Sequence, residues 1–373
     1  MRSLKPAGAR NLMLISAALL LVFGTLAVFT ASSFKSLLMS ESESSTVFLA
    51  SHVRKILAGL VAGLVLYSLP QEFLKKTAPF LYGLSLVLLV ALIALRGSGW
   101  APVINGSARW IELPGGFRMM PSEVARIAYV ILAASLVSGG VIRARTGQGV
   151  TWLTLLAIVP AALVALQPDF AGGMYILLVM IAFLFLAECR FRDMLVLLLL
   201  MLAFASVVVF SSEYRRERLR SWFSPGEAAE ASTYQPEQAC IALGSGGMMG
   251  RGIGRGRQQR GFLPEAFSDY ILAVIGEETG FVGVMMILGL LFMLLMSGWL
   301  IAENADHLFG YLLSGGLIAS IALGMFVHIA VVTRMFPSTG MPLPLVSWGG
   351  SNLMVTIGSL GIVARVAREG VVR

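Results

Sequence analysis

The chain is poor in charge: only 13% of its residues are Asp, Glu, Lys or Arg, where soluble domains carry about a quarter. With 57% hydrophobic residues and a mean hydropathy of +0.84, this scarcity excludes a soluble globule and marks an integral membrane protein. Cysteine is nearly absent as well. Cys189 and Cys240 lie far apart and outside any CxxC pattern, which excludes a disulfide framework and a cysteine zinc site and leaves them as packing residues. No internal repeat and no low-complexity segment is present. At about 20 residues per span, 373 residues hold about ten helices and one large loop. The expected organisation is therefore a single polytopic membrane domain over 1–373, with no separate soluble unit.

Hydrophobic runs near 12–32, 49–70, 78–95, 122–142, 150–167, 171–188, 193–211, 270–300, 308–332 and 344–366 predict an all-α bundle of ten transmembrane helices. Both termini then lie on one side, and a large loop, 213–268, separates the seventh and eighth spans. The first run follows Arg2, Lys5 and Arg10 and ends in TASSF, like a signal peptide. Because the hydrophobic pattern continues directly afterwards, an uncleaved signal anchor is the better reading. Twelve Lys and Arg fall on the terminal side, seven in short loops opposite, and eight in the 56-residue loop. The short loops, which the positive-inside rule weighs most, place the termini in the cytoplasm and the large loop outside.

That loop carries eight arginines and no lysine. Arginine's planar fork suits phosphate or carboxylate, so an anionic ligand and lipid headgroups are equally good readings. GRGIGRGRQQRG (251–261 and its flank) is a poor nucleic-acid segment, since the aromatic partners for base stacking are missing. Its GxGxxG-like spacings follow no strand, which speaks against a dinucleotide fold. The glycines permit close backbone approach or simple flexibility.

Four of the chain's 20 acids crowd into GFLPEAFSDYILAVIGEETG: Glu265, Asp269, Glu277 and Glu278. A helix starting near Ser268, with that serine as its cap, would set Asp269, Ala273 and Glu277 one turn apart on one face. Carboxylates inside a span are costly and usually face a cavity or a partner. MMPSEVAR puts Pro121 at a helix start with Glu123 and Arg126 at ion-pair spacing, and LQPDFAGG puts Asp169 in a short break between spans. Acids from several helices thus converge on one half of the bundle, as a site or as a chain of structural ion pairs. In TGMPLPLVSWGGSN, Pro342 and Pro344 delay the helix start, and the free N–H groups at such a start make an anion site. His328, alone inside the ninth span, reads as a hydrogen-bonded bundle histidine.

Five of these segments, SARWIELPGGFRMMPSEVAR, LQPDFAGG, YQPEQACIALGSGG, LPEAFSDYILAVIGEETG and MPLPLVSWGGSN, resemble in order and across nearly the whole chain the SEDS family (shape, elongation, division and sporulation; FtsW, RodA and SpoVE). The resemblance implies a ten-span peptidoglycan glycosyltransferase, and LPEA followed by IGEE is closer to FtsW than to RodA. Asp269 matches the essential aspartate of the family's PExHTD motif, with Phe267 and Ser268 replacing the usual His and Thr; Arg126 stands where Lys is usual, and Trp348 and Asn352 where Tyr and Ser are common.

The implied substrate is lipid II, a disaccharide-pentapeptide on polyprenyl pyrophosphate. An acceptor 4-hydroxyl would attack the anomeric carbon with inversion and expel the pyrophosphate. Such a hydroxyl needs a positioned base, a role that falls to Asp269. The leaving pyrophosphate needs its charge neutralised, by Arg109, Arg216 and Arg220, with a divalent cation, Mg²⁺ or Mn²⁺, left open because no dedicated cage is visible. Glu123, Arg126, Asp169 and Glu277 shape the cavity. The matching motifs add Trp110, Tyr234, Gln235, Gln238, Glu265, Ser347, Gly349, Gly350 and Ser351 as substrate-binding positions. The implied partner is a single-span class B penicillin-binding protein, a transpeptidase, with other divisome or elongasome proteins, in the bacterial inner membrane with the active site outside. A lipid II flippase and a non-catalytic scaffold are the competing classes. A flippase needs polar groups through the midplane, and a scaffold tolerates loss of Asp269.

Overall fold

A computed structural model describes residues 5–39, 46–104, 106–114, 117–211, 213–223 and 230–370. The part of the large loop at 224–229, which includes Pro225, lies outside the described residues. The helices are α1 (Pro6–Met39), α2 (Val47–Ser68), α3 (Gln71–Ala94), α4 (Pro121–Ser138), α5 (Gly147–Leu166), α6 (Phe170–Leu186), α7 (Phe191–Phe210), α8 (Glu213–Phe223), α9 (Glu230–Ser245), α10 (Ile271–Glu303), α11 (Leu308–Val332) and α12 (Gly350–Glu369). One antiparallel hairpin, β1 (Ile111–Leu113) and β2 (Phe117–Met119), precedes α4, with Glu112 opposite Arg118.

Local signals explain many of the ends. Pro121 occupies the first turn of α4, where its missing N–H costs nothing. Thr146 accepts from Gly149 N–H at 3.1 Å to cap α5, and Asp169 accepts from Gly172 N–H at 3.2 Å to cap α6. Among the described residues nine helices are long and apolar enough to cross a membrane. The sixth predicted span coincides with α6, which is apolar but has 17 residues.

Alternating helix directions sort the connections to two ends. At one end Gln71 N–H reaches Glu369 (3.3 Å) and Arg145 pairs with Glu188. At the other, Ser107 Oγ donates to the Gln167 carbonyl (2.7 Å), Trp348 N–H to the Phe267 carbonyl (2.9 Å), and Trp222 Nε1 to the Arg334 carbonyl (2.7 Å). Burial follows the same logic of position. In α12, α11 and α4 67%, 61% and 61% of the most apolar window is buried, against 11% in α7, so these three form the heart of the bundle and α7 lies at its surface.

The glycine-rich part of the large loop repairs a broken helix. Gly280 interrupts α10 with φ 69° and ψ −167°, which frees backbone groups that lipid could not satisfy. Residues 246–252 satisfy them instead. Arg251 and Gly252 N–H donate to the carbonyls of Glu277 (3.0 Å) and Glu278 (2.9 Å), while Phe281 and Val282 N–H donate to those of Gly247 (2.9 Å) and Met248 (3.2 Å). Glycine is required for this approach: a Cβ at Gly280 would lie 2.3 Å from Gly250 N, and one at Gly250 would lie 2.2 Å from the Glu278 carbonyl oxygen.

Candidate active site

Asp269 precedes α10 rather than opening it. The helix begins at Ile271 with Tyr270 in the cap position and no side-chain cap bond. Ser268 is not the cap that the sequence predicted, because its hydroxyl turns back to Glu265 Oε2 at 3.2 Å. Asp269 and Glu277 therefore do not share a helix face. Asp269 is half-buried, and its carboxylate faces Gly340, where a Cβ would sit 3.3 Å from Oδ2. Gly340 has φ 74°, so a side chain there would be strained as well as crowded.

Gly340 is part of a wall, 339–342, that lines a cavity of about 60 Å³ together with Arg109, Glu123, Arg126, Asp169 and Tyr175. Two ion pairs face each other across it. Arg126, 4% exposed, pairs with Glu123 one turn away, donates to Tyr175 Oη (2.8 Å) and to Ser320 Oγ, and lies 4.7 Å from the Tyr175 ring centroid. Asn352 Nδ2 holds the other oxygen of Glu123 at 3.2 Å. Arg109 approaches Asp169 at 3.7 Å and donates to Ser107 Oγ at 2.9 Å. Burial pushes the Asp169 carboxyl above the usual carboxylate range, while Arg109 and the Gly172 N–H pull it back and Glu123 adds to the rise. His328 Nδ1 bonds the Met341 carbonyl (2.8 Å) and so fixes the same wall.

Four predicted residues, Arg109, Glu123, Arg126 and Asp169, thus meet around one cavity with Asp269 at its edge. Others lie elsewhere. Glu277, 0% exposed, accepts from the N–H groups of Arg257 (2.8 Å) and Gln258 (3.1 Å), with Arg251 3.9 Å away. It clamps the glycine-rich segment and does not shape the cavity, because the break at Gly280 turns that segment onto it. Arg216 and Arg220 are exposed on α8, against Glu213 (3.9 Å) and Glu217 (3.8 Å) of the same helix. Tyr234 is exposed and Gln235 and Gln238 are half-buried on α9. Glu265 pairs with Lys35 at 3.3 Å. Trp110 is half-buried just before β1.

The serines of SWGGSN serve the backbone. Ser347 Oγ accepts from Leu343 N–H (2.8 Å). Ser351 Oγ accepts from Met120 N–H (2.7 Å) and donates to the Arg118 carbonyl (3.0 Å), tying the hairpin to α12. Gly349 is the N-cap residue of α12 and Gly350 its first residue. Among the described residues no three of His, Cys, Asp and Glu come together as metal ligands.

Tyr175, Ser320, Gly340 and the His328 contact escaped the sequence reading. Tyr175 was findable, being the one hydrogen-bonding side chain in FAGGMYILLVMIAFLFL. A larger cavity, about 370 Å³, lies at the opposite end beside the Arg365–Glu369 pair, with Gln71, Asp306, His307 and Arg368, remote from the chemistry described above.

Three kinds of comparison bear on this arrangement. Residues 10–371 match the FtsW/RodA/SpoVE family, described as cell cycle protein. A probable peptidoglycan glycosyltransferase FtsW of Trichlorobacter lovleyi is 33% identical over 92% of this chain and 89% of its own length. The peptidoglycan glycosyltransferase MrdB of Escherichia coli K12 is 35% identical over 84% of each chain. A solved chain from work on structural coordination of polymerization and crosslinking by a peptidoglycan synthase complex superposes with a TM-score of 0.73 at 26% identity, covering 94% of this chain and 97% of that one.

Proposed function

The chain belongs to the FtsW/RodA/SpoVE family, and on that premise we propose that it is a peptidoglycan glycosyltransferase in which Asp269 is the general base. It transfers the growing glycan from polyprenyl pyrophosphate to the 4-hydroxyl of lipid II, with inversion. The observation that carries the assignment is the Asp269 carboxylate set against Gly340, in the wall of a cavity lined by two ion pairs.

A sugar hydroxyl is weakly nucleophilic at neutral pH, so a carboxylate accepting its proton as the C–O bond forms contributes about 10²–10⁴-fold. The Glu123–Arg126 and Arg109–Asp169 pairs keep the cavity polar and its walls in register. Arg109, the more exposed partner of its pair, is placed to meet charge developing on the pyrophosphate. Arg216 and Arg220, out on α8, meet the substrate only outside the cavity. About 60 Å³ is too little for a sugar ring, small-molecule pockets running to about 300–1,000 Å³. The sugars of the substrate therefore extend beyond this cavity through its open side.

The partner we propose is a single-span class B penicillin-binding protein, in keeping with the synthase complex that the fold matches. The chain lies in the bacterial inner membrane, with cytoplasmic termini and Asp269 on the extracytoplasmic side. Relatives named FtsW and MrdB match at 33% and 35% identity; the LPEA–IGEE pattern favours septal over elongation synthesis. The test is polymerisation of purified lipid II by the chain with its partner, wild type against Asp269→Asn of equal thermal stability. Glycan chains from the wild type and their loss in the variant are expected; undiminished polymer from Asp269→Asn removes the assignment.

A further inference from the structure

Lys55 lies in α2, two turns from the end of the helix nearest the site, and is 7% exposed. Among the described residues its ammonium has neither a hydrogen-bond acceptor nor a carboxylate; its one contact of note is the Trp348 ring, 3.7 Å from Nζ to the centroid. Buried lysines are rare without a partner, and a single ring face attracts a cation without neutralising it.

The surroundings make the charge more costly. A Cβ built on Gly350 would lie 3.3 Å from Lys55 Cε, so the side chain ends at the first turn of α12. That 20-residue helix starts without a side-chain cap, and its first N–H groups carry the positive end of the helix dipole. The charged groups that act on Lys55 are Arg118 and its chain neighbour Arg54, both cations, and Glu112 engages Arg118 at 2.8 Å on the hairpin without reaching Lys55. Trp348 Nε1, on the ring that Lys55 covers, is buried with no acceptor. Ser351 is no remedy, since its hydroxyl is committed to the hairpin backbone. A buried ammonium, an orphan indole donor and an uncapped helix start together present several donors, no acceptor and an excess of positive charge. Trp348, Gly349 and Gly350 are each partly exposed, so the place is open to a ligand.

We infer that Lys55, Trp348 and the N-terminus of α12 form a binding site for the pyrophosphate group of a polyprenyl pyrophosphate. The inference rests on the proposed glycosyl transfer for its occupant, and it supplies what that reading lacks, a buried cation dedicated to the phosphates. Its position fits the role. A Cβ on Gly349 would touch Pro342 at 3.1 Å, and Pro342 lines the cavity beside Gly340. Asn352, in the first turn of α12, holds Glu123 of the same cavity. Phosphates on α12 would thus leave the attached sugar at the wall that Asp269 faces. The sequence had marked the start of α12 as an anion site; Lys55 and the Trp348 ring are what the structure adds to it.

The experiment is direct binding of farnesyl pyrophosphate to the purified full chain in detergent, with farnesol and inorganic pyrophosphate as parallel ligands. For Lys55→Met, the dissociation constant for farnesyl pyrophosphate is expected to rise about tenfold or more, the loss of one charge-assisted contact. Farnesol binding should stay unchanged, and Lys55→Arg should retain most of the affinity. Inorganic pyrophosphate that competes in the wild type and not in Lys55→Met identifies the anion itself as the recognised group; failure to compete, with farnesyl pyrophosphate still Lys55-dependent, assigns the site to a lipid-borne headgroup. Equal affinity of folded wild type and Lys55→Met for farnesyl pyrophosphate overturns the inference. Should Lys55→Met not fold, amine-directed labelling of the wild type decides. Slower modification of Lys55 with farnesyl pyrophosphate present supports the site, and an unchanged rate refutes it. Because binding is read without polymerisation, this result stands apart from the Asp269 test: a chain that makes no glycan can still pass it, and an active polymerase can still fail it.

Discussion

Two acidic clusters sit near the same end of this bundle, and they differ in how their charges are satisfied. Glu277 and Glu278 are closed. Glu277 holds two loop N–H groups, and Glu278 holds Thr30 Oγ1, Gly254 N–H and Gln259 Nε2, each at 2.9 Å. Every donor they take comes from the protein, so nothing is left for a ligand. Glu123 and Asp169 are arranged around space instead: they line a cavity together with their arginine partners, and Asp269 stands against its Gly340 wall. Carboxylates thus make a structural clamp in one place and a candidate site in the other, and the deciding variable is whether the surrounding chain supplies all the hydrogen bonds.

Removing Arg126 is the most damaging way to probe the open cluster. Arg126→Met strands Glu123 and is expected to cost about 3–5 kcal/mol, read as a large fall in Tm in detergent. The double variant Glu123→Gln/Arg126→Met should recover much of that loss. No recovery would mean that the pair is not an isolated unit and that the division between clusters is too sharp. Next in size is the clamp. Glu277→Ala leaves two loop N–H groups without their acceptor, for about 2 kcal/mol or more, with faster proteolysis in the 246–260 segment. If activity collapses while Tm holds, Glu277 belongs to the site after all.

Gly340→Ala sharpens the contrast from the other side. Left-handed backbone costs an alanine about 1–2 kcal/mol, and the methyl presses on Asp269. Displacements of about 1 Å at reacting groups cost up to about 10²-fold in rate, so glycan synthesis should fall much further than stability. A matched fall in both would reduce Gly340 to a turn residue. The smallest effect belongs to the exposed arginines of α8. Arg216→Gln and Arg220→Gln should change stability by no more than about 0.5 kcal/mol and leave polymerisation by the detergent-solubilised complex within about twofold; a larger loss of activity would return α8 to the substrate path.

Much of this was legible without coordinates. Hydropathy runs located the apolar helices because a 3.6-residue period in lipid leaves few alternatives. Pro121, Asp169 and the prolines before SWGG marked helix ends because their effects are local. Asp269, Glu123 and Asp169 stood out because acids are expensive in a greasy chain. What it missed was which partner each group takes. Ser268 turned back to Glu265 instead of capping α10, Glu277 was taken up by a loop about 20 residues upstream, and Arg216 and Arg220 stayed exposed on α8, since sequence spacing says nothing of which group a folded segment will reach.

By itself, then, the sequence determined that the chain lives in a membrane, roughly where it crosses, and which few charged residues required an explanation. Only the tertiary structure decided which acids are spent on the backbone and which face space. It also brought Lys55, Trp348 and the start of α12 together from segments nearly 300 residues apart. The physical reason is that charge and hydropathy belong to single residues, whereas hydrogen-bond satisfaction belongs to neighbours that only folding brings together.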